Sequence, residues 1–426
     1  MKTNQPNYPK RFALLFPILV ITVFAQTPDA NIQSLIDRKE YFKAKDSLVV
    51  YAEMLPVEKS LYFGAILDNV FNRPNISNEK IRHCLEFPLS DTLVAELLKT
   101  KLNNDIRMND YKSATVVTDT LLNRYLAFLD SATRTDIGND GKAWRALASN
   151  PPTTADISCE TTLPMKKDIV GLLRIPVRFG KKSMKFVFDT GANLSVVSTK
   201  TARKLGVKVF PTEFDVQGAT GNLVKSKIGV ADEIRLGDIV VKNVVFIVMP
   251  DKELRFLGFY KVNGIIGFPV INQLKEIRLN YAENTLTIPA IPTNSEEKNF
   301  AMEGLMPLIN VGYRNESLVF TFDTGAQSTS LYPKYYEKYA AEIDSTYELG
   351  SIISGSAGGM EKNRAYKLTN VQMRIAGRDV VLPEVSLLKD VQTEHSKYFF
   401  GNLGQDAIRQ FKIVVINFDK MFVAFE

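Results

Sequence analysis

Histidine and cysteine are scarce in this chain of 426 residues, which contains two of each. The histidines, His83 and His395, and the cysteines, Cys84 and Cys159, are too few and too scattered for a zinc site, and no His-Glu-x-x-His spacing occurs. We therefore predict neither a metal nor another cofactor. In an oxidising compartment the two cysteines have two open possibilities, a disulfide or a pair of buried free thiols.

A strong excess of charge of one sign is also missing. The 53 Lys and Arg residues and 47 Asp and Glu residues give a formal net charge of +6. Proteins that bind nucleic acid usually carry a clearly basic surface, so this mild balance predicts no nucleic-acid partner. The length instead predicts two or three domains, and an apolar content of 45% is ordinary for folded proteins.

Long hydrophobic runs are absent after residue 25. Residues 12–25 are apolar and follow a basic start, which predicts a signal peptide over residues 1–25 with cleavage after Ala25. The alternative is an uncleaved anchor, but spanning a bilayer takes about 20 apolar residues, and this run is shorter and contains Pro17. We expect an exported protein, periplasmic or extracellular.

Residues 26–130 have apolar side chains at helical spacing and few glycines, which predicts an all-α domain. Two similar segments, 40–44 and 110–114, stand 70 positions apart, with a weaker copy at 75–79. In each strong copy an aromatic residue precedes a small one by three positions, which resembles a tetratricopeptide-type helical repeat. An irregular helical bundle is the alternative. Such a domain has three open roles: inhibitory prosegment, folding chaperone or docking platform for a protein partner.

Residues 131–164 are rich in glycine, proline and polar residues and predict a linker, in which Trp144 is expected to plug a crevice between domains. The pattern then changes to short apolar runs typical of β-strands. The same order of strands returns after an offset of 134 to 137 residues. We therefore predict an internal duplication, with one mostly-β lobe over 165–293 and a second over 300–426.

The duplication centres on a stretch that occurs twice, at 186–192 and 320–326. Each copy is an apolar strand followed by Asp-Thr-Gly-Ala, and each is followed by a glycine-rich hairpin and then a glycine-bounded turn, at 264–267 and 401–404. The aspartates, Asp189 and Asp323, are the candidate catalytic residues. The plainer interpretation, two turn-capping aspartates in a duplicated β protein, does not explain why Thr-Gly-Ala follows both.

This order of features resembles the pepsin and retropepsin superfamily of aspartic proteases, over about residues 163–426. The resemblance implies a multidomain protein in which the helical domain precedes a bilobal, mostly-β protease domain with barrel-like lobes, each contributing one aspartate. It implies an endopeptidase that binds extended polypeptide between the lobes and hydrolyses it with a water activated by the Asp189/Asp323 dyad. The alternative is a protease-like peptide-binding module. Because one chain holds both halves, the catalytic unit is expected to be a monomer.

The residues next to the two aspartates suit a pair of carboxylates that lie close together and share one proton. Glycine lets the turns approach closely, and each threonine hydroxyl can bond across to the other turn. An alanine in place of Ser or Thr removes a hydroxyl that would favour the charged carboxylate, so we expect an optimum less acidic than a gastric enzyme's. These supporting residues are Thr190, Gly191, Ala192, Thr324, Gly325 and Ala326.

The hairpins are expected to close over bound peptide as flaps, as the resemblance implies. The flap candidates are Gly218, Gly221, Gly355 and Gly358. The alanines and the lack of a tyrosine on the first hairpin favour the retropepsin branch. The second glycine turn is less typical, because it has Asn402 where the first has an apolar residue, and Asp406 after it is expected to cap a short helix.

Overall fold

The computed structural model describes residues 27–218, 222–256, 260–356, 359–391 and 393–426. The predicted signal peptide lies outside the described residues, as do the flap candidates Gly221 and Gly358. Among the helices of the described ranges, none has the length and apolarity needed to cross a membrane.

Within residues 27–150 the structure describes seven α-helices, so the prediction of a helical N-terminal region is confirmed. They are α1 Pro28–Asp37, α2 Tyr41–Tyr51, α3 Val57–Val70, α4 Pro74–Cys84, α5 Asp91–Arg107, α6 Tyr111–Arg124 and α7 Ser131–Leu147. The repeated aromatic and small residues begin α2 and α6 and are buried there: Tyr41 with Ala44, and Tyr111 with Ala114. That the helices form tetratricopeptide-type repeats stays a prediction.

The first part of the predicted linker over 131–164 is helix α7. Its N-terminus is capped by Asp130, whose carboxylate accepts a 2.9 Å hydrogen bond from the backbone N–H of Thr133. Gly141 allows close packing, because a Cβ there would lie 2.7 Å from Thr118 of α6. Trp144 stacks on Tyr111 at 5.6 Å between ring centroids. Both glycines that suggested a linker thus lie in a helix, Gly141 at a packing position and Gly138 with free space beside it, which local composition cannot distinguish from a flexible joint.

The C-terminal part is β-rich, as predicted. Its first half contains β1 Thr154–Asp156, β2 Thr161–Pro164, β3 Lys166–Lys167, β4 Leu173–Phe179, β5 Lys182–Phe188, β6 Ser195–Ser198, β7 Lys208–Gln217, β8 Leu223–Leu236, β9 Ile239–Met249, β10 Arg255–Phe256, β11 Tyr260–Lys261, β12 Gly264–Ile266, β13 Glu276–Asn280 and β14 Thr285–Ile288, with helices α8 Thr199–Leu205 and α9 Phe268–Gln273.

The second half repeats this order. It contains β15 Phe300–Glu303, β16 Met306–Tyr313, β17 Glu316–Phe322, β18 Ser330–Leu331, β19 Leu349–Ser356, β20 Gly359–Ile375, β21 Arg378–Leu388, β22 Gly401–Leu403, β23 Ile413–Asn417 and β24 Phe422–Phe425, with helices α10 Pro333–Thr346, α11 Glu394–Tyr398 and α12 Gln405–Ile408.

Three large sheets contain most of these strands, and β10 and β11 form a separate two-stranded sheet. The first sheet has the order β1-β9-β6-β12-β5-β4-β8-β7 with β3 on β4, and the second sheet has the order β15-β16-β17-β22-β18-β21-β20-β19. The third, β2-β14-β13-β23-β24, is a shared sheet, because it takes strands from both halves of the chain. Closure of either large sheet into a barrel stays a prediction.

The pairing around the two Asp-Thr-Gly turns is equivalent in both halves. Strand β12 runs parallel to β5 with Ile265 opposite Val187, and β22 runs parallel to β17 with Asn402 opposite Thr321. Position by position, Val187 therefore corresponds to Thr321 and Ile265 to Asn402.

The helical region packs against all three sheets. One core cluster joins Leu121 and Trp144 to Val196 and Ile247 of the first sheet. Another joins residues of α1 and α3 to β16 and β17 of the second sheet. At the shared sheet, the amide of Asn72 donates to the carbonyl of Phe418 at 2.7 Å. Helices and strands thus share cores.

The two cysteines are not joined. Cys84 is buried and Cys159 is exposed, and both are free thiols. The disulfide alternative is therefore not realised in this structure, and neither is a pair of buried thiols.

Candidate active site

The two Asp-Thr-Gly turns meet between the first and second sheets. Each aspartate directly follows a strand with buried phenylalanines, β5 for Asp189 and β17 for Asp323. Each turn is also held by its parallel neighbour: the N–H of Asp189 donates to the carbonyl of Ile266 at 3.1 Å, and that of Asp323 to the carbonyl of Leu403 at 3.0 Å. The same pairing therefore brings both carboxylates to the end of a parallel strand pair.

The threonines join the two turns by reciprocal hydrogen bonds. The N–H of Thr190 donates to the hydroxyl of Thr324, and the N–H of Thr324 donates to the hydroxyl of Thr190, both at 3.0 Å. Each hydroxyl donates in turn to a carbonyl of the opposite strand, Thr190 to Phe322 at 3.0 Å and Thr324 to Phe188 at 3.2 Å. Both threonines are fully buried. Four bonds therefore hold the turns at one separation.

The glycines leave room for the opposite carboxylate. A Cβ on Gly191 would lie 2.5 Å from Cγ of Asp323, and a Cβ on Gly325 would lie 2.3 Å from Cγ of Asp189. No side chain fits at such distances without moving a carboxylate. The two aspartates are half-buried and hydrogen-bonded to each other.

The electrostatics of the pair favour a proton on Asp189. Desolvation, the neighbouring charge of Asp323 and the hydrogen bond to it raise the pKa of Asp189 well above its usual value. The backbone N–H groups of Gly191, at 2.9 Å, and of Ala192 donate to the Asp189 carboxyl, and they oppose this rise only in part. Burial and the neighbouring carboxyl thus favour the protonated form of Asp189.

Asp323 has more donors of its own. Its Oδ1 accepts from the N–H of Gly325 at 2.7 Å and from that of Ala326 at 3.1 Å, and its Oδ2 accepts from the side-chain amide of Asn402 at 3.3 Å. Hydrogen bonds to a carboxylate favour its charged form. Sequence reasoning did not assign Asn402 to the site. The available signal was its departure from the apolar residue at the equivalent position of the first turn.

The alanines pack against the glycine-bounded turns through their backbones. The carbonyl of Ala192 accepts from the N–H of Phe268 at 2.8 Å, and that of Ala326 accepts from the N–H of Gln405 at 2.9 Å. The buried side chain of Gln405 donates to the carbonyl of Thr324 at 2.8 Å. Each glycine-bounded turn therefore supports the Asp-Thr-Gly turn of its own half.

Asp406 does not act as the predicted N-cap of the helix after the second glycine turn. The N-cap position of α12 is Gly404, and Asp406 lies inside the first turn. Its carboxylate accepts from the N–H and the hydroxyl of Thr329, at 2.8 and 2.7 Å. It thereby connects α12 to the segment after Asp323, a contact between residues 77 positions apart that capping rules do not consider.

Both predicted hairpins are present in the described part of the chain. The first joins β7 and β8, and the N–H of Gly218 donates to the carbonyl of Asn222 at 2.9 Å. The second joins β19 and β20, with Gly355 opposite Met360. The role of these glycines as flap residues stays a prediction.

Metal binding finds no support in the side chains of the described ranges. Among them, no group of three or more His, Cys, Asp or Glu residues is arranged to hold a metal ion.

Part of this region is similar to a known family. Residues 175–270 match a family model described as aspartyl protease. The matched segment contains Asp189 and the first glycine turn, and it indicates peptidase activity. A search among curated proteins found no match to the chain.

Proposed function

We propose that the protein is an aspartic endopeptidase in which Asp189 and Asp323 together activate the water that cleaves a peptide bond. The observation that carries the proposal is the contact between the two carboxyls, hydrogen-bonded to each other across a pair of turns joined by reciprocal threonine bonds. A structural pair of turn-capping aspartates needs no such contact, and two carboxyls brought together out of water are costly unless they share a proton.

The environments of the two carboxyls suggest distinct roles. Asp323, with three hydrogen-bond donors, is the ionised base that takes a proton from the attacking water. Asp189, whose pKa is raised, is the protonated acid that donates to the oxygen of the scissile carbonyl. As the tetrahedral intermediate collapses, the proton on Asp323 passes to the leaving amine and Asp189 recovers its own from the hydroxyl. The dyad returns to its starting state without a covalent intermediate.

The substrate we propose is an extended polypeptide, bound beneath the hairpins β7–β8 and β19–β20 acting as flaps. The raised pKa of Asp189 supports an optimum less acidic than that of a gastric enzyme, because the singly protonated dyad persists to higher pH. We further propose that the protein acts as a monomer after export, on the basis of both catalytic halves in one chain and of the apolar segment at residues 12–25.

The test is to replace each aspartate separately in the purified mature protein, as Asp189→Asn and Asp323→Asn, and to measure cleavage of a denatured polypeptide. Each variant should lose at least about a hundredfold in kcat/KM, the lower range for removing a general acid or base. The exposed Asp232→Asn is the matched control and should keep full activity.

Two results would contradict the proposal in different ways. Full cleavage by either dyad variant would show that the two carboxyls are not the catalytic pair. A wild-type protein that cleaves no polypeptide but retains peptide in equilibrium binding would instead be a protease-like binding module.

A further inference from the structure

We propose that Asn402 is a positioning residue that determines which carboxyl of the dyad is the base and which is the acid. It donates a hydrogen bond to Asp323 and thereby favours the ionised form of that carboxyl. The inference deepens the proposed function, on which it rests. It concerns a residue of the second glycine turn. The equivalent residue of the first glycine turn, Ile265, has an apolar side chain.

The contacts of Asn402 determine how its amide is oriented. The hydroxyl of Thr321 lies 2.6 Å from Oδ1 of Asn402 and donates to it, and Nδ2 then points to Oδ2 of Asp323 at 3.3 Å. The reversed amide would place Oδ1 of Asn402 against Oδ2 of Asp323, and two oxygens fit there only if the carboxyl carries a proton. The amide therefore faces Asp323 as a donor.

A third side chain extends this arrangement. Tyr332, which follows β18, is hydrogen-bonded to Thr321 through its side chain, and burial raises the pKa of Tyr332 to about 12. Its phenol thus stays neutral across the range in which carboxylates titrate. Tyr332, Thr321 and Asn402 form a chain of neutral polar groups that ends on Asp323. Asp189 and Tyr332 are two titratable groups that interact with Asp323 electrostatically.

The first half of the chain offers Asp189 no equivalent. The positions that correspond to Thr321 and Asn402 are occupied by Val187 and Ile265, which have no polar side-chain atoms. The Asp-Thr-Gly-Ala turns themselves are identical, and both alanines lack a hydroxyl that might favour one carboxylate over the other. The side-chain difference on the strands that support the turns is therefore what makes the dyad asymmetric.

The substitution Asn402→Ile copies the first half and removes the donor. Ionisation of Asp323 then becomes harder, so the acid limb of the kcat/KM profile should move to higher pH by about one unit. One unit below the wild-type limb, this corresponds to about a tenfold lower kcat/KM. The double variant Asn402→Ile with Thr321→Val reproduces the apolar pair of the first half. It also removes the Thr321 partner of the Tyr332 hydroxyl, and it should show the same displacement.

The pH profile separates positioning from a purely structural role. If Asn402 only supports the fold, both variants will lower activity equally at every pH or lower the melting temperature, with the acid limb unmoved, and the inference is wrong. Peptidase activity itself is not required for the decision. Carboxyl carbons of the dyad, assigned by their loss in Asp189→Asn and Asp323→Asn, can be titrated by NMR in the full chain.

In that titration the lower apparent pKa of the dyad should rise by about one unit in Asn402→Ile, whether or not the protein cleaves peptides. An unchanged lower pKa would overturn the inference. Absence of cleavage by the wild-type protein, together with a displaced pKa, would instead leave the role of Asn402 standing and contradict the proposed enzymatic function.

Discussion

Positions 191 and 325 require glycine because of the aspartate that lies opposite each of them in the other half of the chain. Neither residue has a left-handed backbone, so conformational freedom is not what the site requires of them. The requirement is space. At both glycines the position of a Cβ lies so close to the carboxyl carbon of the opposite aspartate that a methyl group cannot fit. The carboxyls are close because these two residues have no side chain.

The substitution Gly325→Ala tests this at the scale of one methyl group. Its Cβ would lie 2.3 Å from Cγ of Asp189, so the turns must separate. We expect a loss of stability of about 1–3 kcal/mol and, because dyad catalysis depends on the contact, a loss of activity of at least about a hundredfold. Thermal unfolding and a cleavage assay measure the two effects.

The matched control is Gly138→Ala in α7, where an added Cβ meets nothing within 4 Å. This variant should keep its activity and gain up to about 1 kcal/mol from better helix propensity. Equal behaviour of the two variants would contradict the steric explanation.

At the scale of elements, the two hairpins differ in what covers their outer strands. Helix α7 lies against β7, the edge strand of the first sheet. The amide of Asn139 donates to the carbonyl of Asp215 at 2.7 Å, and its oxygen accepts from the N–H of Asp215 at 2.8 Å. One side chain thus bonds the strand as a neighbouring strand would. In the second sheet the edge strand is β19, where the side chain of Ile353 is 71% exposed.

Asn139→Ala should therefore loosen the first hairpin. Two hydrogen bonds, each worth about 0.5–1.5 kcal/mol, are lost at Asp215, so hydrogen exchange of its amide should accelerate roughly tenfold. Exchange across β19–β20 should not change, and that hairpin is an internal reference.

Lys142→Ala, an exposed position of the same helix, is the control and should leave exchange at Asp215 unaltered. If Asn139→Ala also leaves it unaltered, α7 does not restrain the strand through this side chain.

At the scale of the whole molecule, the helical region contacts the second sheet through partly buried polar groups as well as shared apolar cores. Glu303, at the end of β15, accepts from Lys39 and from the hydroxyl of Tyr41. The buried guanidinium of Arg107 donates to the carbonyl of Gly304 at 2.5 Å. Separating the helices from the sheets would leave these groups without partners and expose the shared apolar cores. Of the three roles open for the helical domain, an inhibitory prosegment fits this interface least.

A cut in the connecting segment tests that conclusion. Residues 158–160 are exposed, and a site for a sequence-specific protease inserted between Cys159 and Glu160 would separate the helices from β2 onward without touching the interface. The two fragments should remain together on size exclusion, with peptidase activity unchanged. The uncut protein with the same insertion is the control. Release of the helical fragment with a rise in activity would identify it as an inhibitory prosegment.

Some of this organisation follows from the sequence because its signals are local. The alternation of apolar residues distinguishes the β-rich part from the helical one, and two copies of Asp-Thr-Gly-Ala in equivalent positions single out Asp189 and Asp323. Periodicity is a property of neighbouring residues, so it can be recognised without the fold. Helix α7 was missed for the same reason: Gly138 and Gly141 indicate a linker unless the helices packed beside them are known.

The sequence by itself determined the duplicated halves, the pair of aspartates and the residue types that let their turns approach. Only the tertiary structure decided which side chains surround each aspartate, because the amide that donates to Asp323 is 79 residues away in the chain and the hydroxyl bonded to that amide is 81 residues from it. The field at a carboxyl depends on every group within a few ångströms, whatever its position in the sequence. Such neighbours are brought together by strand pairing, which is a property of the folded chain.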